Sequence, residues 1–189
     1  MFYVILLLGL ALWWGAHLFK PMFPEKRAAF SAKHGDKKAR GIMAVVILFS
    51  VLLMGVGYAH AEWIDVWYPP TFFTHINNLL MLFAIALLGA GDSKSNLRRV
   101  VRHPMLIGTK TWALAHLMVN GDLASVILFG GILGWAVLAM IQLNKRDGEW
   151  VKPPKSPITR DIGLAVATIV LYGVIVWVHI WAGVSPVPG

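Results

Sequence analysis

The chain has no cysteine, which excludes disulfides, thiolate nucleophiles and cysteine-ligated zinc or iron–sulfur centres. It is also poor in charge. Only 14% of its 189 residues are Asp, Glu, Lys or Arg, little more than half of the roughly 25% usual in a soluble domain. There is no G-x-S-x-G, Walker A, dinucleotide fingerprint or H-E-x-x-H, so the common nucleophile, nucleotide and zinc-hydrolase signatures are absent. No acid lies deep in an apolar run, which further disfavours zinc.

What is present is apolar: 58% of residues are hydrophobic and the mean hydropathy is +0.67. These residues fall into six blocks, Phe2–Phe19, Gly41–His60, Phe72–Gly89, Pro104–Asn120, Leu123–Leu143 and Ile162–Trp181. Each is near the ~20 residues that cross a ~30 Å hydrocarbon core. A spanning backbone must satisfy itself, so the blocks predict helices. The expected fold is an all-α polytopic membrane protein, a six-helix bundle forming a single domain over residues 1–189. The first block lacks a basic n-region and an A-x-A site, so it reads as a retained helix rather than a signal peptide. Asn120-Gly121-Asp122 predicts a tight turn, and with it an antiparallel hairpin of the fourth and fifth helices. The pairs Gly130-Gly131 and Gly131-x-x-Gly134 predict close helix packing.

The net charge of +8 is not a nucleic-acid footprint. All 17 basic residues lie in the first, third and fifth connections, counting Lys110 just inside the fourth block; the second and fourth connections carry acids and no Lys or Arg. The positive-inside rule then places the basic connections in the cytoplasm and both termini outside. The lipid bilayer is the expected partner, with anionic headgroups available to the basic loops.

Seven histidines remain to be placed. His34 belongs to a cytoplasmic connection. His103 stands at the cytoplasmic mouth of the fourth helix and His17 late in the first, while His60, His75, His116 and His179 lie toward the outer side. His103 and His116 share one helix but are thirteen residues, about 20 Å, apart. They cannot hold one metal ion. Lys110 either snorkels to the cytoplasmic surface or pairs with a buried anion. Trp112, His116 and Asn120 form one stripe, and Trp13-x-x-x-His17 repeats the pairing. A lone intramembrane histidine usually bonds a neighbouring helix. Several on different helices among aromatics suit haem iron and a porphyrin face. By depth, His116 pairs better with His75 or His179 than with His17.

Three pieces together resemble the NnrU family: RHPMLIGTKTWALAH followed by NGD, the late histidine in WWGAHLF, and the terminal HIWAGVSP. The resemblance covers nearly the whole chain. It implies a small polytopic protein of the bacterial inner membrane, associated with denitrification and related to the plant zeta-carotene isomerase. From that relative it implies haem b ligated by His17 and His116, with a redox or nitrogen-oxide-related, isomerase-like role on a lipid-soluble small molecule. The isomerase's cysteine in its W-C-x-x-H motif is here Ala113, so a His/Cys ligand switch is not implied. A second resemblance competes. Arg-His-Pro followed by a hydrophobic residue and glycine is similar to the methyl-donor segment of isoprenylcysteine carboxyl methyltransferases. It implies that Arg102, His103 and Lys110 face S-adenosylmethionine, although the later region, RDGEWVKPPKSP, has Glu149 alone and no tyrosine. A third expectation is a cofactor-free assembly or transport factor working with a respiratory-enzyme partner or as an oligomer.

Overall fold

The computed structural model describes residues 1–186. Seven helices run in order: α1 Phe2–Met22, α2 Pro24–His34, α3 Asp36–Ala59, α4 Phe73–Ser93, α5 Pro104–Val119, α6 Leu123–Asp147 and α7 Ile158–Trp181. A 3₁₀ turn, Asn96–Arg99, precedes α5. The protein is all-α and multi-pass: α1, α3, α4, α6 and α7 are each long and apolar enough to cross a membrane. The fourth apolar block does form a helix, but α5 has 16 residues, about 24 Å of rise. That is below ordinary spanning length.

The first connection was expected to be a loop and is instead mostly α2. Its limits are chemical. Pro24 cannot extend α1, because it lacks an N–H and its ring meets the preceding turn; it is at home in the first turn of a new helix. Gly35 ends α2 at φ 80, a conformation open to glycine.

The chain divides into two compact units. The first comprises Met1–Val66 and Asp122–Gly148, the second Trp67–Gly121 and Glu149–Gly189. In the first, α1 packs against both α3 and α6, and α2 lies against α1 and α3. In the second, α4 packs against both α5 and α7. Within the units α5 belongs with α4, and α6 with α1, and the tight turn expected at Asn120-Gly121-Asp122 is corrected. Asn120 and Asp122 are extended rather than turned, at φ −113, ψ 119 and φ −95, ψ 158. The Gly121 carbonyl accepts from the Trp67 N–H at 3.1 Å, and a Cβ on Gly121 would stand 1.9 Å from the Trp67 carbonyl. In the first unit, the Ile64 carbonyl accepts from Leu123 N–H, beside an antiparallel bridge between Asp65 and Asp122. The Gly121 carbonyl and the Leu123 N–H thus find partners far away in sequence, while Asn120 N–H and the Asp122 carbonyl stay within the adjoining helices.

Small residues let the helices of each unit approach. A Cβ on Gly57 of α3 would lie 2.5 Å from the Leu6 nitrogen, and one on Gly9 of α1 would lie 2.8 Å from the Met54 nitrogen. Gly131 and Gly134 face Leu10 and Trp14 as expected, whereas Gly130 faces open space. Trp14 donates its indole N–H to the Gly131 carbonyl at 3.0 Å. The second unit carries a polar clamp. The Asp161 carboxylate accepts from the Asn96 backbone N–H at 2.7 Å and from its side-chain amide at 2.6 Å. Asn96 also exchanges hydrogen bonds with the Ser156 backbone, both at 2.9 Å. This ties the 3₁₀ turn to the Pro-rich segment before α7.

Gly57→Ala should lower thermal stability in detergent by about 1–3 kcal/mol through overpacking. Gly55→Ala, on the same helix with nothing within 4 Å, should match or exceed wild type. Asn96→Ala should release the Pro-rich segment. Tryptic cleavage after Lys155 is expected to accelerate about fivefold, for a loss of about 1 kcal/mol; an unchanged rate would show that the clamp does not hold the segment.

Candidate functional site

A histidine within a helix can return its ring to its own backbone, and three intramembrane histidines do so. His17 Nδ1 lies 3.0 Å from the Trp13 carbonyl, His116 Nδ1 2.9 Å from Trp112, and His179 Nδ1 2.8 Å from Ile175. A carbonyl only accepts. Nδ1 therefore carries the proton in each ring, and in the neutral ring Nε2 carries the lone pair. The same arrangement orients histidines that ligate metals through Nε2. His60 shares the pattern at 3.1 Å from Val56, but it is exposed at the end of α3 and stacks on Phe2.

In the first unit His17 sits between two indoles. Its ring centroid is 4.1 Å from that of Trp13 and 4.8 Å from that of Trp135, which meets it edge-on at 65°. Trp13 and Trp135 are themselves T-shaped at 5.1 Å. Both indole N–H groups are buried without a hydrogen-bond partner. A buried unsatisfied donor costs roughly 1–3 kcal/mol. Two of them beside one imidazole mark this corner of α1 and α6 as polar without compensation.

In the second unit the stripe expected along the fourth block is real. Trp112 and His116 rings are 5.1 Å apart, and Asn120 donates its side-chain amide to the His116 carbonyl at 2.9 Å. Ala113 is fully buried. His116 and His179 lie within electrostatic reach of one another. His75 is exposed in the first turn of α4. Two residues on, Asn77 is only 8% exposed; it donates to Asn78 at 3.0 Å, and its own carbonyl oxygen has no partner. Arg102, His103 and Lys110 are half-buried. His103 occupies the N-cap position of α5, its carbonyl accepting from Ile107 N–H at 3.0 Å, with Pro104 in the first turn as expected. Among the described residues no group of three or more His, Cys, Asp or Glu side chains is placed to hold a metal ion.

A family model described as NnrU protein matches residues 5–186. The chain belongs to the NnrU family. No curated protein and no solved structure matches it. Family membership accounts for an apolar multi-pass chain. The geometry adds two features that the sequence analysis did not single out. Trp135, from α6, completes the surroundings of His17. Asp122 caps α6 by accepting from Ser125 N–H at 2.9 Å and from its hydroxyl at 2.5 Å, while that hydroxyl lies 3.0 Å from the Tyr58 hydroxyl. Asp122 followed three residues later by Ser125 was a readable cap; Tyr58, 67 residues away, was not.

The histidine geometry has a spectroscopic consequence. In ¹⁵N spectra of histidine-labelled NnrU-family protein near neutral pH, the resonances lost in His17→Gln and His116→Gln should show Nδ1 protonated and Nε2 unprotonated. A protonated Nε2 in either ring would contradict the carbonyl bonds.

Proposed function

We propose that this protein binds haem b in the bacterial inner membrane in a redox or nitrogen-oxide-related role, with His17 and His116 as the candidate imidazole ligands. The observation that carries the reading is a shared contact: in both rings Nδ1 lies within hydrogen-bond distance of a carbonyl on its own helix, which favours Nε2 as the ligating atom. The surroundings fit a porphyrin. His17 is flanked by Trp13 and Trp135, and His116 by Trp112 and the small buried residues Ala113 and Ala115. The two indole N–H donors without partners suit a ligand that brings acceptors of its own. When bound, haem supplies a one-electron Fe(III)/Fe(II) couple. The chain's part is to fix imidazole orientation, to exclude water with aromatic and aliphatic side chains, and to set the dielectric around the iron. Ala113 provides no thiolate, so the reading includes no ligand exchange at that position.

The proposed topology follows the basic residues. α5, extended by its flanking residues, acts as a sixth crossing, the three basic connections are cytoplasmic, and both termini are outside.

The test is an absorption spectrum of the purified, detergent-solubilised protein, air-oxidised and then reduced with dithionite. The expected result is one Soret-absorbing haem per chain, with sharp α and β bands on reduction. Absence of a Soret band after growth with a haem precursor would overturn the reading. Saturable binding of S-adenosylmethionine, lost in Arg102→Ala with His103→Ala, would then support the methyltransferase class instead.

A further inference from the structure

The first unit has a second feature, which begins about one helical turn beyond His17, at the end of α1. Where α1 ends and α3 begins, with α2 between them, a cavity of about 1040 Å³ opens. Lys20, Arg27, Arg40 and Arg146 line it, with Ser31 and Asp36. These residues come from α1, α2, α3 and α6, so the cluster is assembled by tertiary structure and not by a run of basic sequence. Four cations face one carboxylate. Arg146 is paired with the neighbouring Asp147, at 2.6 Å. Among the described residues no carboxylate pairs with Lys20, Arg27 or Arg40. Arg27 instead donates one guanidinium N–H to the Ser31 hydroxyl, which turns its side chain along α2.

Like charges gathered around a concavity raise its potential, and a pocket of guanidinium groups suits a tetrahedral oxyanion through paired N–H donors. Depth selects the source of that anion. The cavity sits at the ends of two membrane-length helices, Phe2–Met22 and Asp36–Ala59, which is headgroup level and not hydrocarbon. Met22 and Phe23, between the cavity-lining Pro21 and Pro24 in sequence, are 47% and 46% exposed, apolar surface where acyl chains would begin. A soluble phosphate would have no use for that apolar surface. The geometry points to a binding site in this cavity for the phosphate of an anionic membrane lipid, held by Arg27, Arg40 and Lys20.

The probe is phosphatidylglycerol titrated into the full-length protein in neutral detergent, with bound lipid counted by native mass spectrometry. One tightly held lipid per chain is expected. Arg27→Gln with Arg40→Gln should weaken its binding about thirtyfold, at about 1 kcal/mol per basic residue. Lys152→Gln with Lys155→Gln removes the same charge from the connection before α7, outside the cavity, and should leave binding intact. Both pairs are surface substitutions, and far-ultraviolet circular dichroism confirms that each variant is folded. Equal losses from the two pairs would show diffuse attraction and overturn the site. Displacement of the lipid by millimolar inorganic phosphate, or phosphate binding without lipid binding, would assign the cavity to a soluble anion and overturn the lipid source.

Discussion

Hydrocarbon offers no hydrogen-bond partner, so every polar group carried into it must be satisfied by the protein itself. This chain meets that demand chiefly within single helices. Ser50 donates to Ile47 O, Thr111 to Ile107 O and Thr168 to Leu164 O, at 2.6–2.9 Å. The intramembrane histidines obey the same rule through Nδ1. What the rule leaves over is informative. A histidine satisfied at Nδ1 presents Nε2, and the buried indole nitrogens of Trp13 and Trp135 have no partner at all. Local bonding fixes the rings, and two of the buried polar atoms left unsatisfied lie beside His17.

The two units solve packing in parallel ways. Each has one central helix, α1 or α4, flanked by one helix that follows it closely in sequence and one from the C-terminal third. Glycines set the closest approaches, Gly57 on Leu6 in the first unit and Gly108 on the Ala84 carbonyl in the second. With lipid outside, such packing relies on van der Waals contact between backbones and not on expulsion of water. α7 shows the consequence on its outer side, where Ile162, Val166, Ile169, Val170 and Trp177 are exposed as lipid would require.

Much of this was legible in the sequence. Hydropathy placed every long helix to within a few residues: Gly41–His60 became Asp36–Ala59, and Ile162–Trp181 became Ile158–Trp181. The Trp112–His116–Asn120 stripe followed from helical periodicity alone. The failures have physical causes. α2 is too polar to register in a hydropathy reading, although Pro24 and Gly35 punctuate it. The NGD segment has the composition of a turn, but tertiary backbone pairing with Ile64 and Trp67 holds it extended. Trp135 beside His17 and Tyr58 beside Ser125 depend on helix–helix packing, which one sequence does not encode locally.

The central claim is that His17 and His116 serve as ligands through Nε2, and chemical rescue tests it most directly. His17→Gly and His116→Gly, prepared with haem, are compared by electron paramagnetic resonance before and after addition of free imidazole. The account predicts that each variant loses the low-spin ferric signal of the wild-type protein and regains it with imidazole, whereas His75→Gly and His179→Gly keep it throughout. Retention of the low-spin signal in His17→Gly or His116→Gly, with its loss in His179→Gly or His75→Gly, would contradict the account.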